Sequence, residues 1–200
     1  MKFNLPTKLT FFRIFLSFVI IILLIFPFYR IGVTFPTFEY KNIIIDLRYI
    51  ISGVIFILAS FTDYLDGMLA RKNDEVTDFG KFIDAIADKV LVNSVLIVFA
   101  SYGFIPVIIP VVIVIRDIIV DAIRMASAGK GKVQQAKMAG KIKTASLMIG
   151  MVLTFFYNLP FEVYGFQVSN FFLYFGTVMS VVSMIEYYNL NKKYIFSEFE

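Results

Sequence analysis

The sequence predicts an all-α membrane protein, a bundle of six transmembrane helices that forms one domain over residues 1–200. The first observation behind this is composition: 59% of the 200 residues are hydrophobic, 24 are phenylalanine, and mean hydropathy is +0.80. Soluble domains are far less apolar. The second is spacing, because the chain holds about six apolar runs, each near the ~20 residues that cross ~30 Å of hydrocarbon. These runs leave no room for a separate soluble domain.

Apolar runs between helix-breaking residues place the six helices. We expect them near residues 8–28, 48–70, 80–102, 106–127, 138–157 and 169–189. Before the first, Met1 to Arg13 mixes basic and apolar residues, so it is expected to form a short interfacial segment along the lipid headgroups. A simple anchoring flank is the alternative. The aromatic connection from Phe28 to Asp46 is also expected at the interface.

The distribution of basic residues predicts the orientation. Six crossings return both termini to one side, and the loops around Arg71–Lys81 and Lys130–Lys143 collect most of the Lys and Arg there. Cytoplasmic loops of membrane proteins are enriched in these residues. The termini and both loops are therefore expected on the cytoplasmic side. Because the basic residues follow topology, nothing indicates nucleic-acid binding.

The chain contains no His, Cys or Trp. This excludes a catalytic histidine, a thiol nucleophile, a disulfide framework and the usual zinc ligands. Any catalysis must use carboxylates, amines, hydroxyls or a hard metal ion.

Four aspartates lie at the ends of the second and third apolar runs. Asp63 and Asp66 are three residues apart, and Asp84 and Asp88 are four apart, so each pair shares one helix face. A short loop joins the two helices and can bring the pairs face to face. Carboxylates without imidazole or thiolate suit Mg²⁺ or Mn²⁺, and four suffice for one ion or a bridged pair about 4 Å apart.

Acids within membrane helices are costly. An uncompensated one near the bilayer centre costs ~3 kcal/mol, and four would approach the ~5–15 kcal/mol stability of a typical domain. A bound cation would offset this cost. The alternative is neutralisation by three nearby basic residues: Arg71, Lys81 and Lys89.

Small residues alternate with the acids. Gly67, Ala70 and Gly80 remove side-chain bulk where a ligand or another backbone must come close. Arg71 follows directly and can hold a phosphate in a bidentate contact. Together they indicate a phosphorylated ligand beside the acids, although each small residue alone more often serves helix packing. Farther along, Gly176 and Ser180 form a small pair for which packing within the chain is expected.

A second polar group lies on the fourth helix. Arg116 and Arg124 are eight residues apart on one face, with Asp117 and Asp121 on adjoining faces. The next helix begins with three lysines: Lys137, Lys141 and Lys143. The pattern favours a pocket for an anionic substrate. Topology combined with acid–base pairing is the alternative, and Asp121 would then pair with Arg124.

Eight positions over 26 residues resemble the complete signature of the CDP-alcohol phosphatidyltransferase family. They are Asp63, Asp66, Gly67, Ala70, Arg71, Gly80, Asp84 and Asp88. The segments Asn4–Arg13, Arg116–Arg124 and Gly140–Thr144 are similar to bacterial phosphatidylglycerophosphate synthases, so the likeness spans most of the chain.

The resemblance implies a six-helix bundle, usually a homodimer, in the bacterial cell membrane with its site on the cytoplasmic side. It implies two divalent ions, Mg²⁺ or Mn²⁺, among the four motif aspartates, with Asp88 both a candidate ligand and the general base. CDP-diacylglycerol would place its pyrophosphate at the ions. Its expected binding residues are Asn4, Pro6, Thr10, Gly67, Ala70, Arg71 and Gly80.

The resemblance also implies the acceptor, sn-glycerol 3-phosphate, with its phosphate held by Arg116, Arg124 and Lys141. The products would be phosphatidylglycerophosphate and CMP. Sibling enzymes that use an inositol phosphate, serine or phosphatidylglycerol remain alternatives, as does a divalent-ion carrier. Ala85, Asp117 and Asp121 depart from the residues usual in similar synthases, which bears on the acceptor.

Overall fold

The computed structural model describes residues 4–41, 43–72, 77–128 and 138–195. Six long helices account for most of them: α1 (Leu5–Ile25), α2 (Leu47–Lys72), α3 (Asp78–Ser101), α4 (Ile108–Ala128), α5 (Met138–Phe155) and α6 (Val168–Ile195). Short 3₁₀ turns span Phe28–Ile31 and Phe161–Tyr164. The predicted helical class and the approximate position of every helix are confirmed.

Four helices are long and apolar enough to cross a membrane. They cover Leu5–Ile25, Leu47–Met68, Met138–Phe155 and Val168–Lys192. The other two, α3 and α4, carry several acidic and basic residues along their length. The length and composition of these helices indicate a membrane-embedded protein; within the described residues four helices are candidate spans, and the six crossings stay a prediction.

The first helix begins earlier than expected and includes most of the segment that was expected to be interfacial. The side chain of Asn4 caps α1 by accepting a hydrogen bond from the Thr7 backbone N–H, and Pro6 lies in the first turn, so the helix begins at Leu5. It then runs without a break through Arg13. Its buried face carries polar residues at helical spacing: Thr7, Thr10, Arg13 and Ser17. This polar face packs into the protein, so the described part of the expected segment belongs to α1.

The connection after α1 contains a hairpin that the sequence analysis did not predict. Strands β1 (Thr37–Tyr40) and β2 (Ile43–Asp46) pair antiparallel, with Thr37 opposite Asp46. The Asp46 backbone N–H donates a 2.8 Å hydrogen bond to the Tyr157 hydroxyl beyond α5. Burial raises the pKa of Tyr157, so the phenol stays protonated near neutral pH. This contact ties the hairpin to the helices.

The helices pack as two groups. α1 packs along both α2 and α3, and α6 packs along both α4 and α5. Buried aromatic and aliphatic side chains join the groups: the Phe99 and Phe155 ring centroids are 4.7 Å apart, and Phe56 also contacts Phe155. Since α1 packs on both neighbours, it lies where the predicted acids of α2 and α3 meet.

Two glycines allow α5 and α6 to approach closely. A methyl group at Gly150 would lie 2.7 Å from Leu173 Cγ, and one at Gly176 would lie 2.9 Å from Leu147 Cγ. Each helix thus places a leucine against a glycine of the other. The expected packing of Gly176 within the chain is confirmed, and Ser180 one turn later is fully buried.

Candidate active site

Three of the four predicted acids form a cluster. Asp63 and Asp66 on α2 and Asp84 on α3 each offer a carboxylate oxygen, and these oxygens all lie within 4.8 Å of one another. The Asp66 side chain is 6% exposed, whereas those of Asp63 and Asp84 are 43% and 48% exposed. The cluster therefore has a buried floor and an open side. Its oxygen ligands are of the kind that Mg²⁺ and Mn²⁺ prefer.

The cation that pairs with the cluster is Arg13 of α1. Its Nη1 forms ion pairs with Asp63 and Asp84, and its Nη2 with Asp66. The Arg13 residue has no exposed surface. The pairing of Arg13 with the acids was not predicted, because Arg13 was assigned to the interfacial segment. The signal was available, since a charged residue within an apolar membrane helix requires a partner.

The amino-terminal turn of α1 also lies at the cluster. The Thr10 hydroxyl is 3.1 Å from the Pro6 carbonyl oxygen and 3.3 Å from Asp66 Oδ2, both within donating distance. One turn earlier, Thr7 Oγ1 would lie 3.6 Å from a methyl group placed on Gly80 of α3. Of the predicted donor-site residues, Thr10 thus contacts an acid of the cluster, while Asn4, Pro6 and Gly80 lie around the preceding turn of α1.

Gly80 has a specific local role at the start of α3. Thr77 caps this helix, and its hydroxyl oxygen accepts a 3.0 Å hydrogen bond from the Gly80 backbone N–H. A methyl group on Gly80 would come within 2.9 Å of that oxygen. Because Gly80 has no side chain, the Thr77 cap can form and the adjacent surface stays free of a side chain at this position.

The remaining predicted residues of the motif are only partly described. Gly67 follows Asp66 on α2, which continues to Lys72. The side chains of Ala70, Arg71 and Lys81, and the whole of Lys137, lie outside what the structure describes. Their assigned roles stay predictions.

A cavity of about 160 Å³ lies beside the acid cluster. Side chains from four helices line it: Ala85, Asp88 and Lys89 of α3, Arg116, Asp117, Val120, Asp121 and Arg124 of α4, Gly140, Lys143 and Thr144 of α5, and Tyr187 of α6. Four of these residues are basic, so we call it the basic cavity. It brings together the predicted Arg116 and Arg124.

Lys143, and not the predicted Lys141, lines the basic cavity. Lys143 is buried, and its ammonium donates a 2.8 Å hydrogen bond to Asp117 Oδ1. Lys141 is exposed and does not line the cavity. Residues two apart on a helix point in different directions, so only one of the two lysines can face this cavity.

Arg116 is fixed by three hydrogen bonds. Its Nη1 donates to Asp117 Oδ1 at 3.1 Å, its Nη2 to Ser183 Oγ at 2.8 Å, and its Nε to the Ser180 carbonyl oxygen at 3.3 Å. A buried guanidinium held from several sides keeps one orientation. The small residues of α6 thus supply its binding partners.

Aromatic and acidic side chains hold the other cations of the basic cavity. The Arg124 guanidinium lies 5.4 Å from the Tyr187 ring centroid and donates to its hydroxyl at 3.3 Å. Lys89 forms an ion pair with Asp121. Asp121, for which pairing with Arg124 was the alternative interpretation, thus has a cationic partner on α3.

Asp88 lies between the acid cluster and the basic cavity. It lines the cavity and is not among the three clustered acids. Its carboxylate interacts electrostatically with Asp63 and Arg13 at the acid cluster and with Lys143 and Asp117 of the basic cavity. The described cluster thus contains three of the four expected acids, and a metal contact of Asp88 stays a prediction. Four residues of helix separate Asp84 from Asp88 by about 6 Å, which suffices to place them in adjoining spaces.

Comparison with known proteins gives consistent matches. The model of the CDP-alcohol phosphatidyltransferase family matches residues 3–182. A protein of Bacillus subtilis (strain 168) is 37% identical over 94% of this chain and 95% of its own length. Proteins of Haemophilus influenzae and Wigglesworthia glossinidia brevipalpis are each 34% identical, over 96% and 94% of this chain and 95% and 94% of their own lengths.

All three relatives are named CDP-diacylglycerol–glycerol-3-phosphate 3-phosphatidyltransferase. The family match covers most of the chain, including all three clustered acids, Asp88 and the basic residues of α4 and α5. The chain therefore belongs to the CDP-alcohol phosphatidyltransferase family.

Proposed function

We propose that the protein transfers the phosphatidyl group of CDP-diacylglycerol to sn-glycerol 3-phosphate, forming phosphatidylglycerophosphate and CMP. The names of its relatives support this reaction. The observation that carries the proposal is the position of Asp88, which lines the basic cavity and interacts electrostatically with the acid cluster. One carboxylate thus lies between a place suited to a metal-bound pyrophosphate and a place suited to an anionic acceptor.

The acid cluster fits a divalent ion. Its three carboxylate oxygens within 4.8 Å of one another are hard ligands without sulfur or imidazole. Asp63, Asp66 and Asp84 would hold Mg²⁺ or Mn²⁺, and a second ion would add Asp88 as a ligand. When bound, such ions supply positive charge that stabilises the phosphate oxygens of the donor and of departing CMP.

The reaction is a single displacement. The acceptor hydroxyl oxygen forms a bond to the β-phosphorus of CDP-diacylglycerol while the bond from that phosphorus to the CMP oxygen breaks. Asp88 takes the proton of the attacking hydroxyl. Orientation by the surrounding side chains makes this encounter effectively intramolecular, and no covalent enzyme intermediate is required.

The acceptor phosphate would bind in the basic cavity. Arg116 and Lys143 are its buried cations, and Arg124 adds a third beside Tyr187. We propose Lys143, which lines the cavity on α5, as the lysine that contacts the phosphate, and the expected contact from Lys141 stays an untested alternative. A phosphate fits this group because guanidinium and ammonium donors form strong hydrogen bonds with its oxygens.

The donor lipid would bind on the other side of Asp88. Thr10 contacts the acid cluster, with Asn4, Pro6 and Gly80 around the preceding turn of α1. Gly67, Ala70 and Arg71 complete the proposed set on α2. The open side of the cluster at Asp63 and Asp84 gives the pyrophosphate access.

We further propose that residues 1–200 form a single domain in the bacterial cell membrane. The distribution of basic residues supports a topology in which both termini and the site lie on the cytoplasmic side. A homodimer is the proposed assembly.

The test is CMP release by purified protein in detergent, supplied with CDP-diacylglycerol and Mg²⁺ or Mn²⁺. Glycerol 3-phosphate, an inositol phosphate, serine and phosphatidylglycerol are compared as acceptors, and Asp88→Asn serves as the blank. CMP release only with glycerol 3-phosphate is expected. Release with another acceptor would retain the chemistry and replace the acceptor. A protein that released no CMP but moved Mn²⁺ across sealed vesicles would instead be a carrier.

A further inference from the structure

We infer that Arg13 is a built-in counter-cation of the acid cluster, which holds the three carboxylates together without metal and is displaced when a divalent ion binds. This rests on the proposed metal site. It adds a function for a residue outside the eight-position motif: control of metal affinity and stability of the metal-free protein.

The orientation of Arg13 is the first observation behind this inference. Arg13 directs both terminal nitrogens at the cluster, and they contact carboxylate oxygens of Asp63, Asp66 and Asp84. The Nε atom of Arg13 is buried and has no hydrogen-bond partner in the structure. Among the residues that the structure describes, the ion pairs of the guanidinium are those with the three acids, made through its two terminal nitrogens.

The net charge of the acids together with Arg13 is the second observation. Three carboxylates and one guanidinium leave two negative charges, so Arg13 only partly neutralises the cluster. Asp66 and Arg13 are both buried, and an unpaired buried charge is strongly destabilising. Without Arg13, the acids would lose the cation that contacts all three of them, and their mutual repulsion would increase. The charge that remains still favours a divalent ion.

Both cations need the same three carboxylates. Mg²⁺ binds oxygen at about 2.0–2.1 Å, so an ion held by this cluster lies close to the carboxylates that Arg13 now contacts. Repulsion between like charges and the lack of space prevent the guanidinium from keeping all three ion pairs. Metal binding therefore requires Arg13 to give up its contacts, which lowers the apparent affinity for metal.

The experiment measures Mn²⁺ binding to the full chain in detergent by isothermal titration, without substrate. Arg13→Gln removes the charge and keeps a long polar side chain. Arg48→Gln is the matched control, since Arg48 is also paired with an aspartate, Asp46, outside the cluster. Arg13→Gln is expected to bind Mn²⁺ about tenfold more tightly or better, while Arg48→Gln keeps the affinity of the unmodified chain.

Thermal unfolding provides a second measurement. With EDTA, Arg13→Gln should unfold at a clearly lower temperature than the unmodified chain, and Mn²⁺ should restore most of the loss. If Arg13→Gln does not fold, Arg13→Lys takes its place. A single ammonium cannot contact three acids as a planar fork does, so a several-fold gain in affinity is expected.

The outcomes separate the two proposals. Equal or weaker Mn²⁺ binding by Arg13→Gln, or by Arg13→Lys if only that variant folds, would overturn the displacement of Arg13 while leaving the metal site in place. Absence of Mn²⁺ binding in the unmodified chain, in Arg13→Gln and in Asp66→Asn alike would overturn the proposed metal site itself. Loss of binding only in Asp66→Asn, together with tighter binding in Arg13→Gln, supports both.

Discussion

Lys143 on α5 donates a 2.8 Å hydrogen bond to Asp117 on α4, and the same carboxylate oxygen accepts from Arg116 at 3.1 Å. One acid thus orients two buried cations at the wall of the basic cavity. Two cations and one anion leave a single positive charge in this group. Asp117 lowers the cost of burying the cations, and the charge that remains attracts an anionic acceptor.

The first prediction separates two lysines on the same helix. Lys143→Met should raise the KM for glycerol 3-phosphate by about tenfold or more, since a hydrogen bond to a charged group contributes ~1.5–3 kcal/mol. The KM for CDP-diacylglycerol should change little. Lys141→Met is the matched control, and its acceptor KM should stay near that of the unmodified enzyme. The reverse pattern would return the phosphate contact to Lys141. Steady-state kinetics with each substrate varied in turn makes the comparison.

The second prediction tests the proposed general base. Asp88→Asn keeps the size of the side chain but cannot accept the acceptor proton, so kcat should fall by about 10²–10⁴. Binding of both substrates should be largely retained. Asp121→Asn removes another acid of the same cavity, one paired with Lys89, and should keep most of kcat. Near-normal turnover by Asp88→Asn, measured as CMP release, would exclude the proposed role.

The third prediction concerns the close approach of α5 and α6. Gly150→Ala would push a methyl group against Leu173, 2.7 Å away, and should cost about 1–3 kcal/mol of stability. Gly140→Ala on the same helix is the control, because its methyl group would meet Ser183 Oγ at an ordinary 3.5 Å. Thermal unfolding in detergent measures both.

A double-mutant cycle checks the cause of that loss. Leu173→Ala should be less destabilising in the Gly150→Ala background than alone, because it removes the clashing Cγ. Purely additive effects would show that the contact between these two residues does not explain the result.

The fourth prediction distinguishes support of the fold from chemistry. Tyr157→Phe removes the hydroxyl that accepts from the Asp46 backbone N–H at 2.8 Å, and should cost about 1 kcal/mol. Both KM values should remain unchanged, since Tyr157 lines neither the acid cluster nor the basic cavity. A specific change in acceptor KM would contradict this assignment. Unfolding and steady-state kinetics on the same preparation provide the comparison.

Much of the fold could be predicted because apolar runs and breakers are local signals. Pro27, for example, follows the end of α1, and the residue before it, Phe26, is already extended. The hairpin at residues 37–46 was missed, since two four-residue strands in an aromatic connection give a weak pattern. The number of crossings is harder to predict for a related reason: charged residues in α3 and α4 reduce the apolar character of both helices.

The residue types of the candidate site could be predicted more fully than the way in which those residues are grouped in space. Spacing alone put Asp63 with Asp66 and Asp84 with Asp88, because each pair shares a helix face. Assigning Asp84 and Asp88 to different spaces requires knowing where α1 and α4 lie. The choice between Lys141 and Lys143 likewise depends on the rotation of α5, which two nearby lysines do not specify.

The position of α1 between α2 and α3 also has a consequence for biosynthesis. Arg13 leaves the ribosome before its three partners, and its last carboxylate partner, Asp84, is made 71 residues later. Until Asp63 and Asp66 of α2 are made, the guanidinium has no acid of the cluster to pair with, so it must remain in water or among lipid headgroups. The final seating of α1 therefore follows synthesis of the first turns of α3. The helix that is made first completes its packing only after the third has begun to form.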